Sequence, residues 1–409
     1  MKAVVFHDIG DIRLEEVSEP RIQEPNDAIV RLTASAICGT DLHLVRGTMP
    51  GMREGTIVGH EGVGIVEKTG PGVRNFKEGD RVVITPTIAC GYCSYCRAGY
   101  FSQCDNSNPN GPQAGTAFFG GPASSGSFDG LQAQKALIPF ANIGLIKIPN
   151  EVTDDQAIMI TDMFPTGYFA ADIAEVEPGN TVAIFGCGPV GQFAILSAIL
   201  MGAGRIIAVD RIPMRLEMAR DQGAEVINFE EDDPVEAIQE LTGGIGVDRA
   251  IDAVGVDAVK AHTGPAAAKS RQLDEEFEYE LKHVAPVSHP SNEGWRPGDG
   301  PSQALFWASE SLAKAGTLAI VGAYPQSARF FPLGFATDRN LTLQMGNCNH
   351  RKYIPMLMEL VKTGAVDPEL YISNVEPFDS VLDAYRAFDE RQPGWIKVEL
   401  VPRMHLAST

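Results

Sequence analysis

The stretch Gly59-His60-Glu61-Gly62-Val63-Gly64-Ile65-Val66 sets an imidazole and a carboxylate between glycines, just ahead of an apolar run. Upstream, Ala36-Ile37-Cys38-Gly39-Thr40-Asp41 offers a thiol, with His43 just beyond it; four closely spaced cysteines and then Asp162 follow downstream. A soft sulfur, an imidazole and a carboxylate are the donors of a catalytic zinc whose fourth position stays open for substrate. A lone histidine is more often an ordinary surface or core residue; it is the whole set that points to a metal.

Cys90, Cys93, Cys96 and Cys104 have two, two and seven residues between them. The glycines and polar residues among them permit the tight turns that bring four thiolates onto one tetrahedral ion. A zinc closed by four cysteines is structural, since it leaves no room for substrate. The alternatives are a redox dithiol, a chance cluster, or a nucleic-acid-binding zinc ribbon, the last at odds with the acidity of the chain.

A second chemical motif follows the apolar run Thr181-Val182-Ala183-Ile184-Phe185, where Gly186-Cys187-Gly188-Pro189-Val190-Gly191 opens a helical pattern. Gly186 permits a tight turn, Gly188 lets a pyrophosphate approach the backbone, and Gly191 lets helix and strand pack closely. The free amides of the helix N-terminus suit an anion. About twenty residues on, as a dinucleotide fingerprint requires, comes Ile207-Ala208-Val209-Asp210. Asp210 is expected to accept hydrogen bonds from the adenine ribose hydroxyls and to repel a 2′-phosphate, favouring NAD over NADP. Arg211 beside it pulls the other way. Pro189, Val190, Arg211 and Arg215 complete the candidate cofactor-binding set, and Cys187 reads as a small filler.

These motifs need a scaffold, and the pattern of runs supplies one. Ala3 to Phe6, Ala28 to Leu32, Gly64 to Glu67 and Arg81 to Ile84 are short β-type runs punctuated by Gly, Pro and Asp, which reads as an irregular all-β unit. Beyond Asp162 the character changes. Apolar runs at Thr181 to Phe185, Ile206 to Val209, Val226 to Asn228, Val247 to Val254, Thr317 to Val321 and Leu341 to Met345 alternate with helical patterns such as Val190 to Met201 and Met214 to Gln222. Six strands with crossover helices predict a doubly wound parallel sheet, an α/β fold. The tract from Val256 to Pro301 is too long for a crossover and reads as an insertion, with a short acidic helix expected over Leu273 to Leu281. A helix over Tyr353 to Lys362 and a strand over Ile396 to Val401 are expected in the tail.

The length of 409 residues suits two domains. The formal net charge of -20 argues against nucleic acid as a partner and, less strongly, against a polyanionic substrate. The longest apolar run, Phe193 to Met201, is too short for a membrane span, and the N-terminal residues have no apolar core of a secretion signal. Seven cysteines, four of them at metal spacing, fit a reducing cytoplasm better than a disulfide framework.

Gly59, His60, Glu61, Gly64, Gly70 and Val73 together resemble the zinc alcohol dehydrogenase signature of the medium-chain dehydrogenase/reductase superfamily, and the resemblance extends over essentially the whole chain. It implies a GroES-like β-barrel catalytic domain over residues 1–163, completed by 346–409, and a Rossmann domain over 164–345 carrying the insertion at about 256–301. It matches the four cysteines to a structural zinc lobe, and it implies Cys38 and His60 as the first two ligands of a catalytic zinc. The third ligand in dimeric members is a cysteine; the matching segment here is Asp162-Met163-Phe164-Pro165-Thr166-Gly167-Tyr168. Aspartate in that place is shared with the glutathione-independent formaldehyde dehydrogenase and formaldehyde dismutase branch. Asp162 is a competent zinc ligand.

The resemblance further implies Thr40 as the hydroxyl that hydrogen-bonds substrate and His43 as the terminal base, reached through the cofactor ribose. Glu61 becomes an occasional fourth ligand, and Asp41 the acceptor of the remaining N–H of His60. Two zinc ions per chain, NAD, a small alcohol or aldehyde such as formaldehyde, and a homo-oligomer, tetramer rather than dimer, complete the expectation. The insertion is expected to be a lid over the bound cofactor. Pro86, Phe118 and residues near Trp307 are candidates for the substrate pocket. A polyol or secondary-alcohol dehydrogenase uses the same machinery, and a non-catalytic dinucleotide-binding protein is the reading of another class. That last reading predicts decay of the metal ligands, all of which are present.

Overall fold

The computed structural model describes residues 1–287 and 294–402; residues 288–293 of the long tract and the last residues of the tail lie outside the described residues. Thr181–Phe185 is the inner strand of a six-stranded, wholly parallel sheet. Its residues are apolar along almost their whole length because helices cover both faces. Numbered along the chain, Thr181–Phe185, Arg205–Asp210, Glu225–Asn228, Val247–Asp252, Leu312–Ile320 and Thr342–Met345 lie in the order 3-2-1-4-5-6. The order reverses at Thr181–Phe185 and Val247–Asp252, where a doubly wound sheet opens its crevice. Every run read as a strand of this sheet is one; the fifth begins earlier than expected, at Leu312.

The second sheet is built on Ala28–Ile37, which pairs antiparallel with Gly62–Thr69, Lys135–Ile138 and Val398–Val401. The chain's last strand thus returns to its first large sheet, with Val398 opposite Ile37. Lys2–Asp8 stays apart from this sheet, in a two-stranded ribbon with Asp11–Glu16.

Three helices fill the junction between the sheets: Asp154–Thr161, Met163–Ile173 and His350–Lys362. Thr153 and Gln156 form a reciprocal capping box that starts the first. Asp162, at φ -135° and ψ -57°, breaks the chain between the first and the second. Pro165 lies in the first turn of the new helix, where its missing N–H costs nothing. Gly167 is required by contact: a Cβ there would meet the Phe193 carbonyl carbon at 2.5 Å, on the helix Pro189–Leu200.

The long tract carries two helices, Ala266–Gln272 and Asp274–Val284. They seat against the parallel-sheet domain: Lys269 reaches Asp233 and Glu236, and the backbone N–H groups of His262 and Thr263 donate to Glu230. Trp295 returns to the other domain, where it packs with Tyr385 and its N–H donates to Asp389. Among the described residues of the tract, only Asp257, Ala258 and Val259 border the central cleft, and the tract runs as a strap from one domain to the other. The helices bury Ala266, Ala267 and Phe277 against the domain, and Lys269 of the first pairs with Asp233 and Glu236. No helix among the described residues is long and apolar enough to cross a membrane.

Candidate active site

Cys38, His60, Glu61 and Asp162, all buried, bring one ligand atom each to within 4.8 Å of one another. His60 Nε2 lies 3.1 Å and Cys38 Sγ 3.7 Å from the same oxygen, Asp162 Oδ2. Cys38 caps the helix Gly39–Arg46: its sulfur accepts from the Thr40 N–H at 3.4 Å, and its own N–H donates to Asp41 Oδ2 at 2.9 Å. The other oxygen of Asp41 is 3.2 Å from His60 Nδ1, without the alignment of a hydrogen bond. A sulfur, an imidazole nitrogen and a carboxylate oxygen converging in a buried spot are the donor set of a divalent zinc, so the residues present fit the metal.

The other oxygen of Asp162 is also held. His350 Nε2 and Thr166 Oγ1 both donate to Oδ1 at 2.8 Å. Burial would raise the Asp162 carboxyl, but the hydrogen bonds from His350 and His60 more than offset it and hold it well below the usual carboxylate range. Burial pushes the Cys38 thiol up, with His60 opposing. Glu61 is engaged from behind: Lys397 Nζ sits 2.5 and 2.7 Å from its two oxygens. His350 and Lys397 were not found by sequence reasoning. The polar run Asn347-Cys348-Asn349-His350 after the last parallel strand was the available signal for the first; Lys397 had none.

The four lobe cysteines, Cys90, Cys93, Cys96 and Cys104, also converge within 4.8 Å. Backbone N–H groups point at their sulfurs: Tyr92 and Cys93 donate to Cys90 at 3.4 Å, Cys96 to Cys93 at 3.4 Å, and Cys90 to Cys104 at 3.2 Å. Such donors favour thiolates. Burial would raise the Cys93 thiol, yet N–H groups led by that of Cys96 bring it down to about 7. The set suits a closed tetrahedral ion.

A cleft of about 890 Å³ runs from the metal-ligand cluster to the glycine loop. Thr40, His43, Pro86 and Phe118 line the end that holds Cys38, His60 and Asp162; Gly186, Gly188, Pro189, Val190, Asp210, Arg211 and Arg215 line the other, with Trp307 nearby. Gly191 stands behind the loop, where a Cβ would fall 1.8 Å from the Gly186 carbonyl oxygen; a Cβ at Gly188 would meet nothing nearer than Arg215 Nη1 at 3.8 Å. The first glycine is needed for packing and the second leaves open ground for a ligand. Asp210 ends its strand and accepts N–H bonds from Cys187 at 2.8 Å, Arg211 at 2.6 Å and Ile212 at 2.9 Å.

Arg391, which sequence reasoning missed, lines the same cleft. Burial, together with the nearby Arg46, Arg215 and Arg211, lowers its guanidinium to about 10. Arg211, Arg215 and Arg391 thus bring cationic groups to the glycine-loop end of the cleft in a chain of net charge -20, which suits an anionic ligand there.

His43 is buried, and its Nδ1 lies 2.8 Å from Asp257 Oδ2. Arg46 Nη1 donates to that oxygen at 2.8 Å, and the same guanidinium holds Asp389 at 2.6 Å. Burial alone would raise Asp257, but His43 and Arg46 hold it well below the usual carboxylate range.

Comparison with known proteins sets this geometry among relatives. Residues 24–150 match the alcohol dehydrogenase GroES-like domain, and residues 189–264 the zinc-binding dehydrogenase model. An uncharacterised zinc-type alcohol dehydrogenase-like protein of Bacillus subtilis (strain 168) is 38% identical over 406 residues, 98% of this chain and 100% of that one. A glutathione-independent formaldehyde dehydrogenase of Pseudomonas aeruginosa is 38% identical over 270 residues, 63% of this chain and 66% of that one. The solved structure of an alcohol dehydrogenase from Thermus sp. ATN1 superposes with a TM-score of 0.77 at 32% identity, covering 98% of this chain and 99% of that chain.

Proposed function

This chain belongs to the zinc-dependent alcohol dehydrogenase family, and from that premise we propose that it is an NAD-linked oxidoreductase of a small alcohol or aldehyde, with formaldehyde and its dismutation within reach. The observation that carries the reading is one cleft with a metal-ligand cluster at one end and a dinucleotide loop at the other.

In this reading Cys38, His60 and Asp162 hold the catalytic zinc, and Cys90, Cys93, Cys96 and Cys104 a structural one. A zinc in the first site supplies Lewis acidity, lowering the proton affinity of a substrate hydroxyl. A dinucleotide held by the glycine loop would supply the hydride chemistry, which belongs to the cofactor. The chain's own residues bind and move the proton. Thr40, on the first turn of the helix capped by Cys38, accepts a hydrogen bond from the substrate and passes the proton on. His43 receives it. Glu61, held by Lys397, keeps a second carboxylate beside the ligands. Pro86 and Phe118 keep water from the reacting end. Gly186, Gly188, Pro189 and Val190 offer backbone to the pyrophosphate, Gly191 sets the loop, and Asp210 faces the ribose with Arg211 and Arg215 beside it.

Asp162 in the place of a cysteine supports the small-aldehyde branch, as does the formaldehyde dehydrogenase relative over part of the chain. Residues 1–163 with 346–409 would form the metal-bearing domain and 164–345 the dinucleotide-binding one. A cytoplasmic homotetramer follows from the resemblance alone. The test is a panel of alcohols and aldehydes with NAD and NADP, read by cofactor absorbance on protein loaded with zinc. Turnover of small aldehydes or their hydrates with NAD is the expected result; no turnover of any alcohol or aldehyde would overturn it.

A further inference from the structure

Asp257 is the first charged residue of the inserted tract, and nothing in the motifs gives it a part in the chemistry. We infer that Asp257 is the positioning residue of His43: it fixes the ring with its proton on Nδ1, leaves Nε2 as the base, and balances the imidazolium formed when the proton arrives. This rests on the functional reading above.

Three observations carry it. The first is contact. His43 Nδ1 is 2.8 Å from Asp257 Oδ2, and a carboxylate can only accept, so the ring nitrogen facing it must carry the hydrogen. Nε2 has no hydrogen-bond partner among the described residues, while His43 borders the cleft that Thr40 also lines. The second is that the carboxylate is itself fixed. Arg46 Nη1 holds Oδ2 at 2.8 Å, Thr48 Oγ1 reaches it at 3.4 Å, and the Gly298 N–H reaches Oδ1 at 3.3 Å. Arg46 is in turn anchored by Asp389. The third is burial: His43, Arg46 and Asp257 are all buried, so their interactions are little screened by solvent.

The charges within this group are complementary. Asp257 and Asp389 face Arg46, which leaves one negative charge to balance an imidazolium at His43. The step is a proton transfer and nothing more: an O–H bond of the donor breaks, an N–H bond forms at Nε2, and Asp257 stays ionised throughout. An orienting carboxylate that never takes the proton is a familiar partner for a histidine base. It also means that the insertion, placed elsewhere as a strap, contributes to the reacting end of the cleft.

The test uses the full chain loaded with zinc, in five forms: wild type, Asp257→Asn, Asp257→Glu, His43→Gln and the combined Asp257→Asn/His43→Gln variant. Histidine ring nitrogens are labelled with 15N, and the His43 signals are those missing from His43→Gln. The expected wild-type spectrum has His43 protonated at Nδ1, and Asp257→Asn moves it toward the other tautomer. Turnover of the best substrate of the panel should fall about a hundredfold in kcat for Asp257→Asn, with KM changed less than about threefold, and Asp257→Glu should recover much of the loss. The combined variant should be no slower than His43→Gln alone. An unchanged His43 tautomer in Asp257→Asn, or single losses that multiply in the combined variant, would overturn the inference. If wild type turns over no alcohol or aldehyde, the functional reading falls, and the spectra alone decide for or against Asp257 as the residue that sets the His43 tautomer.

Discussion

Lys397 Nζ lies 2.5 and 2.7 Å from the two carboxylate oxygens of Glu61, 336 residues earlier in the chain, and neither side chain reaches solvent. The lysine also donates to the Ile37 carbonyl at 3.1 Å, one residue before Cys38. Removing one member of a buried pair leaves an uncompensated charge, which costs about 3–5 kcal/mol. Lys397→Met is therefore expected to lose roughly that much stability in denaturant unfolding, and Glu61→Gln/Lys397→Met to recover a good part of it. A Lys397→Met protein as stable as wild type would show that the pair is not ionised.

Asp162→Ala should lose the catalytic metal and turnover while keeping nucleotide binding, because the glycine loop is at the far end of the cleft. Zinc content and NADH fluorescence titration measure the two separately. His350→Ala should act through Asp162, whose Oδ1 it holds at 2.8 Å, and weaken metal affinity about tenfold to a hundredfold. Undiminished turnover in Asp162→Ala refutes its assignment as a ligand.

Metal analysis of active protein should find two zinc ions per chain. Cys90→Ser should lower the yield of folded protein, since a structural zinc contributes its binding free energy to folding. Cys38→Ser should keep the fold, retain the lobe metal and lose turnover. One ion, or none, in fully active protein is the result that contradicts this.

Asp210→Ala should weaken NAD binding and narrow the gap to NADP, as its charge no longer repels a 2′-phosphate. Arg391→Met should weaken both cofactors together, because Arg391, Arg211 and Arg215 share the cationic side of the cleft. Dissociation constants for the two cofactors in each variant decide it. A wild type that prefers NADP would make the arginines dominant over Asp210.

Acid stability offers a further check on Asp257. Its folded carboxyl is depressed below its unfolded value by His43 and Arg46, against burial. The stability it contributes is complete above the unfolded value near pH 4 and is lost as pH falls below it. Wild type should lose stability more steeply than Asp257→Asn in that acid range when followed by pH-dependent denaturant unfolding; parallel curves would contradict a depressed carboxyl.

What could be read in advance was local. The parallel strands announced themselves as apolar runs bounded by turns, and Gly186, Gly188 and Gly191 as a loop of fixed spacing. The cysteine array was legible because its ligands lie close in sequence. The acidic helix expected over Leu273 to Leu281 is the helix Asp274–Val284. Lys397, His350, Asp257 and Arg391 escaped because each acts on a partner far along the chain, and no periodicity marks a buried charge whose partner is supplied by tertiary packing. The seating of the inserted tract escaped for a different reason: its length and point of departure were visible, but where its helices rest depends on Lys269 finding Asp233 and Glu236.

Asp162 occupies the break between two helices that belong to different neighbourhoods. Asp154–Thr161 packs on the strands Ala28–Ile37 and Gly62–Thr69, and Met163–Ile173 packs on the helix that follows the glycine loop. Cys38 and His60 come from the first neighbourhood alone. A metal held by all three donors therefore sits beside the joint where the chain passes from one half of the molecule to the other. By thermodynamic reciprocity, any factor by which a bound dinucleotide changes the affinity for that metal is the factor by which the metal changes the affinity for the dinucleotide.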